Sequence, residues 1–477
     1  MNRLMWFRSD LRVRDNPALW HACQQSQPVI GLYFICEQQW QKHGLGPRRI
    51  NLMKARAQEL KKQLAELNIP LIILAADDFT HSTDILKALI SDLSIAAVNF
   101  NIEYEINERQ RDYHVSRWLR EQQIEVNKFH DQCLLPPGDV RTKTDQPFRV
   151  FSPFKRAWLP KADDAISAPF GTPTALPQSA QALLRLLPAD REPYQHTAQS
   201  DNLWSVDENN AHDKLERFID EQIKAYKTLR DLPDTDATSR LSFELALGML
   251  SPRQCFYAAM QKNHGLLAGG NQGIDCWISE LIWREFYRHL LVAYPELCKH
   301  RAFKPETEQL QWRQADEDFA AWCEGRTGYP IVDAAMKQLL EQGWMHNRLR
   351  MITAMFLTKH LLIDWRRGEA FFNYWLVDAD LASNNGGWQW SASTGADGAP
   401  YFRIFNPTSQ SEKFDADGRF IARMLPELAA LPAPSRHNPD AFSRQQVGYP
   451  QPIVDHKAGR ERALAAFKNL TPIEEGA

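Results

Sequence analysis

The sequence has 477 residues, 44% hydrophobic and 24% charged, and its 56 Lys and Arg against 59 Asp and Glu give a formal charge of −3. This is globular composition for two to four domains at roughly 100–200 residues each. It excludes a uniformly basic nucleic-acid binder, so any phosphate contact must come from a local patch. Seven cysteines (23, 36, 133, 255, 276, 298 and 323) without a CxxC pair argue against a disulfide framework or a zinc ribbon and for a reducing compartment. No apolar run approaches the roughly 18 residues of a membrane span, and Met1–Arg8 lacks the apolar stretch of a signal peptide, so the expected location is the cytoplasm.

Residues 1–130 alternate short apolar runs with amphipathic stretches. The runs Leu4–Phe7, Val29–Ile35, Leu71–Leu74, Ala96–Phe100 and Ile124–Phe129 read as buried strands. Helical patterns fall near 16–25, 48–67, 82–92 and 105–122. The alternation predicts a parallel sheet covered on both faces, Rossmann-like or flavodoxin-like. With no GxGxxG after the first strand and no P-loop, a dinucleotide is not expected in this domain. Residues 131–210 carry Pro136, Pro137, Pro147, Pro153, Pro160, Pro169, Pro173, Pro177, Pro188 and Pro193. They read as an interdomain connector crossing the surface, free of long elements, with a short helix around Gln178–Leu187. Residues 211–477 show helical patterns only, near 211–230, 241–248, 252–263, 274–293, 316–323, 331–342, 347–362, 368–376 and 420–429. Thr238-Ser239 is a candidate cap, and Ser251-Pro252 reads as an N-cap followed by proline at the first helical position. The expected architecture is an α/β domain followed by a larger all-α domain.

Tryptophan is the compositional oddity: nine of fifteen lie between Trp277 and Trp390. A large helical core would use them, and so would stacking on planar rings or electron transfer between them. Three segments carry candidate chemistry. In Trp277–Arg288, helical spacing places Trp277, Glu280, Arg284 and Arg288 near one face, with Trp283 and Tyr287 beside it. That face suits a planar polar ligand; it equally suits an amphipathic helix with a Glu280–Arg284 surface pair. Thr238-Ser239-Arg240-Leu241-Ser242 offers hydroxyls, a cation and free N–H groups for an anion, or ordinary capping. The third segment runs from Gly343–Met351 through Asp364-Trp365 to Asp378–Trp390. Its last stretch packs two aspartates, two asparagines, two glycines and two tryptophans into thirteen residues. A polar loop explains the Asp-Asn-Gly content but not Trp388 and Trp390, and so many polar side chains cannot enter a core unpaired. A lone His346 is no metal site.

These segments, with Gly328–Met336, Trp344–Arg348 and the N-terminal Trp6-Phe7-Arg8-Ser9-Asp10-Leu11-Arg12, resemble the photolyase/cryptochrome family over nearly the whole chain. In particular they resemble bacterial class I cyclobutane pyrimidine dimer photolyases of the folate-antenna type. The resemblance implies an N-terminal antenna domain and a helical domain holding FAD, reduced in its active form. It implies that Tyr226, Thr238, Ser239, Arg240, Leu241 and Ser242 hold the flavin's phosphates and ribityl chain. Trp277, Asn347, Arg350, Asp378, Asp380 and Asn384 would surround its rings and adenosine. Glu280, Trp283, Asn347, Met351 and Trp390 would line the lesion pocket, and Arg230, Arg348 and Arg403 would contact DNA phosphates. Trp388, Trp365 and Trp312 match the family's electron-transfer chain. His43, Asn107, Glu108, Cys298 and Lys299 match the site of a 5,10-methenyltetrahydrofolate antenna. The implied partner is UV-damaged DNA with its dimer flipped out, bound by a monomer with little sequence preference.

The residue chemistry is compatible with these roles. The Asn384 oxygen can accept the N5–H of reduced flavin, where an aspartate, as in plant cryptochromes, would present a charge. Glu280 can donate from a protonated carboxyl to a pyrimidine carbonyl as negative charge develops. Flipping a damaged base costs a few kcal/mol, and stacking on Trp283 and Trp390 returns ~1–3 kcal/mol per base. Three rivals remain. A cryptochrome-like photoreceptor is opposed by Asn384 and by the short stretch after Pro450–Val454. A (6-4) photoproduct enzyme would carry histidine where this chain has Asn347. A catalytically dead DNA- or FAD-binding module would not fill every chemical position.

Overall fold

The computed structural model describes residues 2–25, 27–177, 180–186 and 201–471. The chain divides into two compact units. The first comprises Met1–Phe148, Ser152–Lys224 and Ser239–Pro295; the second comprises Arg149–Phe151, Ala225–Thr238 and Glu296–Ala477.

In the first unit, β1 (Asn2–Phe7), β2 (Val29–Ile35), β3 (Leu71–Ala75), β4 (Ile95–Asn101) and β5 (Glu125–Phe129) form one parallel sheet. The order β3-β2-β1-β4-β5 is that of the first five strands of the Rossmann sheet and decides between the two layouts the sequence allowed. β2 is buried at all seven positions, which its unbroken apolar run anticipates. α1 (Pro17–Cys23), α3 (Pro47–Glu66), α4 (Phe79–Asp92) and α5 (Ile106–Glu121) stand where helical periodicity places them. The six-residue α2 (Glu37–Lys42) has one buried side chain, Trp40, and so no period to read. Beyond the C-terminal ends of β1 and β4, Arg8 pairs with Asp112 at 3.1 Å, and Asn101 donates to Asn16 Oδ1 at 2.8 Å and to Asp10 Oδ2 at 2.5 Å.

The proline-rich stretch is not free of long elements: α6 (Phe151–Ala165) runs for 15 residues through Pro160. Pro153 stands in the first turn, where no N–H is required. The bond lost at Pro160 is offset by burial of Phe154, Trp158 and Ala162. Nor does this segment merely cross the surface, since Trp158 donates to the buried Glu285 at 2.7 Å. A 3₁₀ turn spans Ala180–Leu186, while the ends of the expected helix, Gln178 and Leu187, lie outside the described residues.

The expected 211–230 helix is three pieces: α7 (Glu208–Arg217), a π-helical turn Phe218–Gln222 with a 3₁₀ turn Ile223–Ala225, and α8 (Tyr226–Leu229) in the second unit. α9 (Ser242–Leu247), α10 (Pro252–Lys262) and α11 (Gln272–Ala293) return to the first unit. Ser251 caps α10 in a full capping box with Gln254, and Pro252 is at the first helical position, as the sequence predicts. Asn263 and Asp275 bond to each other at 3.0 Å between α10 and α11.

The second unit continues with α12 (Asp316–Cys323), α13 (Pro330–Gln342), α14 (Asn347–Met355), α15 (Trp365–Trp375), α16 (Leu381–Ala392), α17 (Pro407–Phe414), α18 (Arg419–Met424), α19 (Ala433–His437), α20 (Ala441–Val447) and α21 (His456–Lys468). The predicted 347–362 helix ends as α14 and continues as a π-helical turn, Phe356–His360. That turn holds Lys359, fully buried, whose ammonium donates to Ala392 O (3.1 Å) and Ser393 Oγ (2.8 Å) and lies 3.7 Å from the Phe467 ring of α21. Burial pushes its pKa well below the usual lysine range.

Candidate functional site

The stretch 381–392, open in sequence to a loop reading, is the helix α16. Asp380 caps it by accepting from Ser383 N–H at 2.8 Å. Asn385, Trp388, Gln389 and Ala392 are buried on one side, while Asn384, Gly387 and Trp390 are only partly covered. The polar side chains are paired through Glu369 of α15. Asn385 donates to Glu369 Oε1 at 2.9 Å, Gln389 donates to Asn385 Oδ1 at 2.8 Å, and His300 Nδ1 lies 2.7 Å from Glu369 Oε2. That bond raises the pKa of His300. Asn384 donates its Nδ2 to the backbone carbonyl of Glu369 at 3.0 Å, leaving Oδ1 as the acceptor it offers.

Glycine inside a helix costs about 1 kcal/mol against alanine; close packing requires it at Gly368, and no neighbour requires it at Gly387. A Cβ on Gly387 would meet no atom of the described residues within 4 Å, so open space lies over this part of α16. A Cβ on Gly368 of α15 would run into the six-membered ring of Trp388.

α14 supplies the adjoining groups of this unit. His346 is its N-cap, Nδ1 accepting from Arg348 N–H at 3.2 Å, which accounts for this buried histidine without a metal. Arg350 donates to Met345 O and to Asp378 Oδ2, both at 2.7 Å. The other oxygen of Asp378 is buried with no hydrogen-bond partner among the described residues, a costly state unless a ligand donor completes it. Asn347 is exposed and Met351 partly covered on the same helix. Arg348 forms a two-point pair with Asp231 (2.9 and 3.2 Å) and stacks 4.5 Å over Phe414. Arg230 lies 5.4 Å over the buried Tyr226 ring, Thr238 is half-buried, and Arg403 is exposed beside the exposed Tyr401 and Phe402.

Trp388 and Trp365 are buried in the second unit's core, and Trp312 packs against its edge. Trp388 meets Phe372 edge-on at 4.9 Å, and its indole N–H is buried without an acceptor among the described residues. The Arg366 guanidinium stands 4.8 Å over Trp365.

In the first unit, Trp277 is buried, donates to Ser239 Oγ at 3.4 Å and packs on Phe218 at 5.1 Å. Two candidate segments 38 residues apart are thus brought together. Thr238 and Ser239 do not cap α9, whose N-cap is Leu241 without a side-chain bond; Arg240 takes a left-handed φ of 50° just before it. Glu280 and Trp283 are half-buried on α11, with Trp283 tilted against Tyr287 at 5.6 Å. Arg284 and Arg288, on the same predicted face, are spent on structure. Arg284 donates to Gln132 O at 2.6 Å and Arg288 to Gln132 Oε1 at 3.3 Å. The sequence reading passed over Glu285, fully buried, which accepts from Trp158 and from the N–H groups of Leu134 and Leu135. Burial lifts its carboxyl to about 7.

His43 and Asn107, 64 residues apart, lie within 3.2 Å of each other, and Glu108 follows in the first turn of α5. Burial, with Glu105 and Glu103 nearby, pushes Glu108 up to about 8, while burial lowers His43. Cys298 and Lys299 belong to the second unit, where Lys299 pairs with Glu296 at 2.6 Å.

Among the described residues no group of three or more potential ligands could hold a metal ion, and no helix is long and apolar enough to cross a membrane. The family model "DNA photolyase" matches residues 3–174, and "FAD binding domain of DNA photolyase" matches residues 277–469. A deoxyribodipyrimidine photo-lyase of Escherichia coli is 45% identical over 98% of both chains, and one of Vibrio cholerae is 44% identical over 98% of this chain and 99% of its own. Among solved structures, a class III photolyase from Agrobacterium tumefaciens matches at a TM-score of 0.82 and 37% identity over 98% of this chain and 97% of its own. A cryptochrome from Synechocystis matches at 0.83 and 26% over 98% and 99%.

Proposed function

This chain belongs to the DNA photolyase family, and from that premise we propose a role for each residue in a light-driven enzyme that carries FAD and repairs DNA. The activity is that of a deoxyribodipyrimidine photo-lyase, which splits cyclobutane pyrimidine dimers. The observation that carries the assignment of roles is the pair of unsatisfied features on one unit: the orphaned Oδ1 of Asp378, and the open space above Gly387 beside the outward oxygen of Asn384. Both fit a flat ligand rich in N–H donors.

FAD, where bound, would supply the electron chemistry that opens the cyclobutane ring with no net redox change. Asn384 accepts a ring N–H through Oδ1, its amide held by Glu369. Asp378, held by Arg350, accepts a further donor through Oδ1. Tyr226, Thr238, Ser239, Arg240, Leu241 and Ser242 bind the phosphates and ribityl chain, and Trp277, Asn347 and Asp380 contact the rings and adenosine. Glu280 donates to the pyrimidine carbonyl on which negative charge develops, a stabilisation made in the transition state. Trp283 and Trp390 stack on the flipped bases, and Asn347 and Met351 contact them. Arg230, Arg348 and Arg403 bind phosphates, giving salt-sensitive, sequence-tolerant affinity from a local patch on a chain of charge −3. Trp388, Trp365 and Trp312 carry electrons inward when oxidised flavin is photoreduced. A second chromophore of the folate class is held through His43, Asn107, Glu108, Cys298 and Lys299. The enzyme acts as a monomer in the cytoplasm.

Irradiated DNA containing thymine dimers tests the activity: dimers disappear under blue or near-UV light with the reduced protein and persist in darkness. Equal loss in darkness overturns the reading.

A further inference from the structure

Trp388 has a second aromatic neighbour that leads elsewhere. Trp322 of α12, fully buried, meets it edge-on at 6.1 Å. Beyond Trp322 stands Phe371 at 5.5 Å, then Trp375 at 6.1 Å from Phe371, then Tyr374 at 5.6 Å from Trp375. Tyr374 is 46% exposed. Phe371, Tyr374 and Trp375 share a face of α15 through three- and four-residue spacing. We propose that Trp322, Trp375 and Tyr374 form a second route by which positive charge leaves Trp388 for solvent, parallel to Trp365 and Trp312 and ending on the Tyr374 phenol. The proposal rests on the reading of Trp388 as the residue that gives an electron to photoexcited flavin.

Three features favour the branch. The Trp388 N–H is buried with no acceptor among the described residues, so an oxidised indole there keeps its proton and the charge moves on to the next oxidisable ring. Trp322 donates its N–H to the Thr353 carbonyl at 3.2 Å, a dipole that stabilises positive charge on the indole. On the other route, the Arg366 guanidinium 4.8 Å over Trp365 opposes positive charge on that ring, an opposition reduced by its pairs with Glu308 (2.6 Å) and Asp364 (3.3 Å). Phe371 is too hard to oxidise to hold the charge and serves as the packed medium between two indoles.

The electrons balance. One electron leaves Trp388 for the flavin; Trp322 refills Trp388, and Trp375 refills Trp322. Tyr374 then gives an electron to Trp375 and its phenolic proton to water, becoming a neutral tyrosyl radical. An external thiol returns one electron and one proton to it, so the net change is one electron from thiol to flavin.

The test uses the FAD-loaded protein with oxidised flavin, as wild type, Trp312→Phe, Trp375→Phe, Tyr374→Phe, Trp388→Phe and the double variant Trp312→Phe/Trp375→Phe. Photoreduction under blue light is followed by absorbance. A nitroso spin trap, added without thiol, marks the terminal radical for peptide mass spectrometry. We expect Trp312→Phe to keep residual photoreduction and a trap adduct on Tyr374, and the double variant to lose both. Tyr374→Phe alone should lose the adduct. The branch is overturned if Trp312→Phe already loses all photoreduction, if the double variant matches Trp312→Phe, or if photoreducing wild type shows no adduct on Tyr374. Unchanged photoreduction in Trp388→Phe overturns the underlying donor reading instead. Trp375 is partly buried at the edge of the core, and phenylalanine keeps an aromatic ring there.

Discussion

Asn384 donates its side-chain N–H to the backbone carbonyl of Glu369, 3.0 Å away on the neighbouring helix, and this bond decides which end of the amide is offered to a ligand. Glu369 is itself immobilised, its two carboxylate oxygens held by His300 and Asn385. The orientation of Asn384 is therefore set by protein groups before any cofactor arrives.

Replacing Asn384 with aspartate removes that donor and sets a carboxylate oxygen against the Glu369 carbonyl. That loss falls on both redox states of the flavin alike; what differs between them is the ring N–H that Asn384 Oδ1 accepts and the response to a new charge beside the ring, together about 2 kcal/mol or roughly thirtyfold in an equilibrium. We expect the balance between reduced and oxidised flavin to move by that order in Asn384→Asp, read by spectroscopic redox titration beside wild type. An unmoved balance would show that Asn384 does not face the redox-active ring.

Glu280→Ala should lower the light-driven repair yield while FAD stays bound, because it removes a donor to the lesion and no flavin ligand. Loss of one such donor costs on the order of 10²–10³ in rate. Flavin content by absorbance and dimer loss per absorbed photon, measured on one preparation, check this. Loss of flavin would place Glu280 against the cofactor.

Glu285 gives a pH prediction. Its carboxyl is raised to about 7 in the folded protein, against about 4.3 for an ordinary glutamate. A raised carboxyl stabilises the fold most when protonated, so its contribution is complete below about pH 4.3 and is lost as the pH rises through 7. Glu285→Gln forfeits one acceptor for the N–H groups of Leu134, Leu135 and Trp158 but does not titrate. Urea unfolding should therefore show a stability gap between wild type and variant that is wider at about pH 5 than at about pH 8. A gap of constant size would remove the titration from Glu285.

Trp312→Phe keeps an aromatic ring at the edge of the core but one far harder to oxidise. Photoreduction of oxidised flavin should slow strongly. Repair by protein already reduced with dithionite should be nearly normal, since that electron does not pass through Trp312. Parallel assays separate the two, and unchanged photoreduction would take Trp312 off the path.

The legible parts of this molecule were those with a period. β2 was readable to the residue because every side chain enters the core, whereas α2, with one buried residue in six, left no pattern. α6 was hidden by its prolines, since a local rule about Pro160 was outweighed by burial of Trp158, a tertiary fact. In α16 the chemistry was legible and the helix was not. Asn and Gly oppose helix formation locally, and the groups that hold the helix in place, Glu369, which binds Asn385, and Gly368, which leaves room for the Trp388 ring, come from α15. Trp322 and Glu285 sat inside segments already noted, but only packing shows that one touches Trp388 and the other gathers three donors.

The buried lysine of the π-helical turn also bears on the order of synthesis. Lys359 is made more than a hundred residues before Phe467, the ring over which its ammonium lies, and before Arg462, which donates to the carbonyl of the adjoining His360. A nascent chain that has passed α16 already holds the two oxygens that Lys359 will bond, yet the side chain is still hydrated and charged on its outer side. Its dehydration waits until α21 has left the ribosome. The segment from α14 to α16, which carries Asn384, Asp378, Trp365 and Trp388, is thus sealed late, and a chain arrested before residue 467 would hold it with a lysine still open to water.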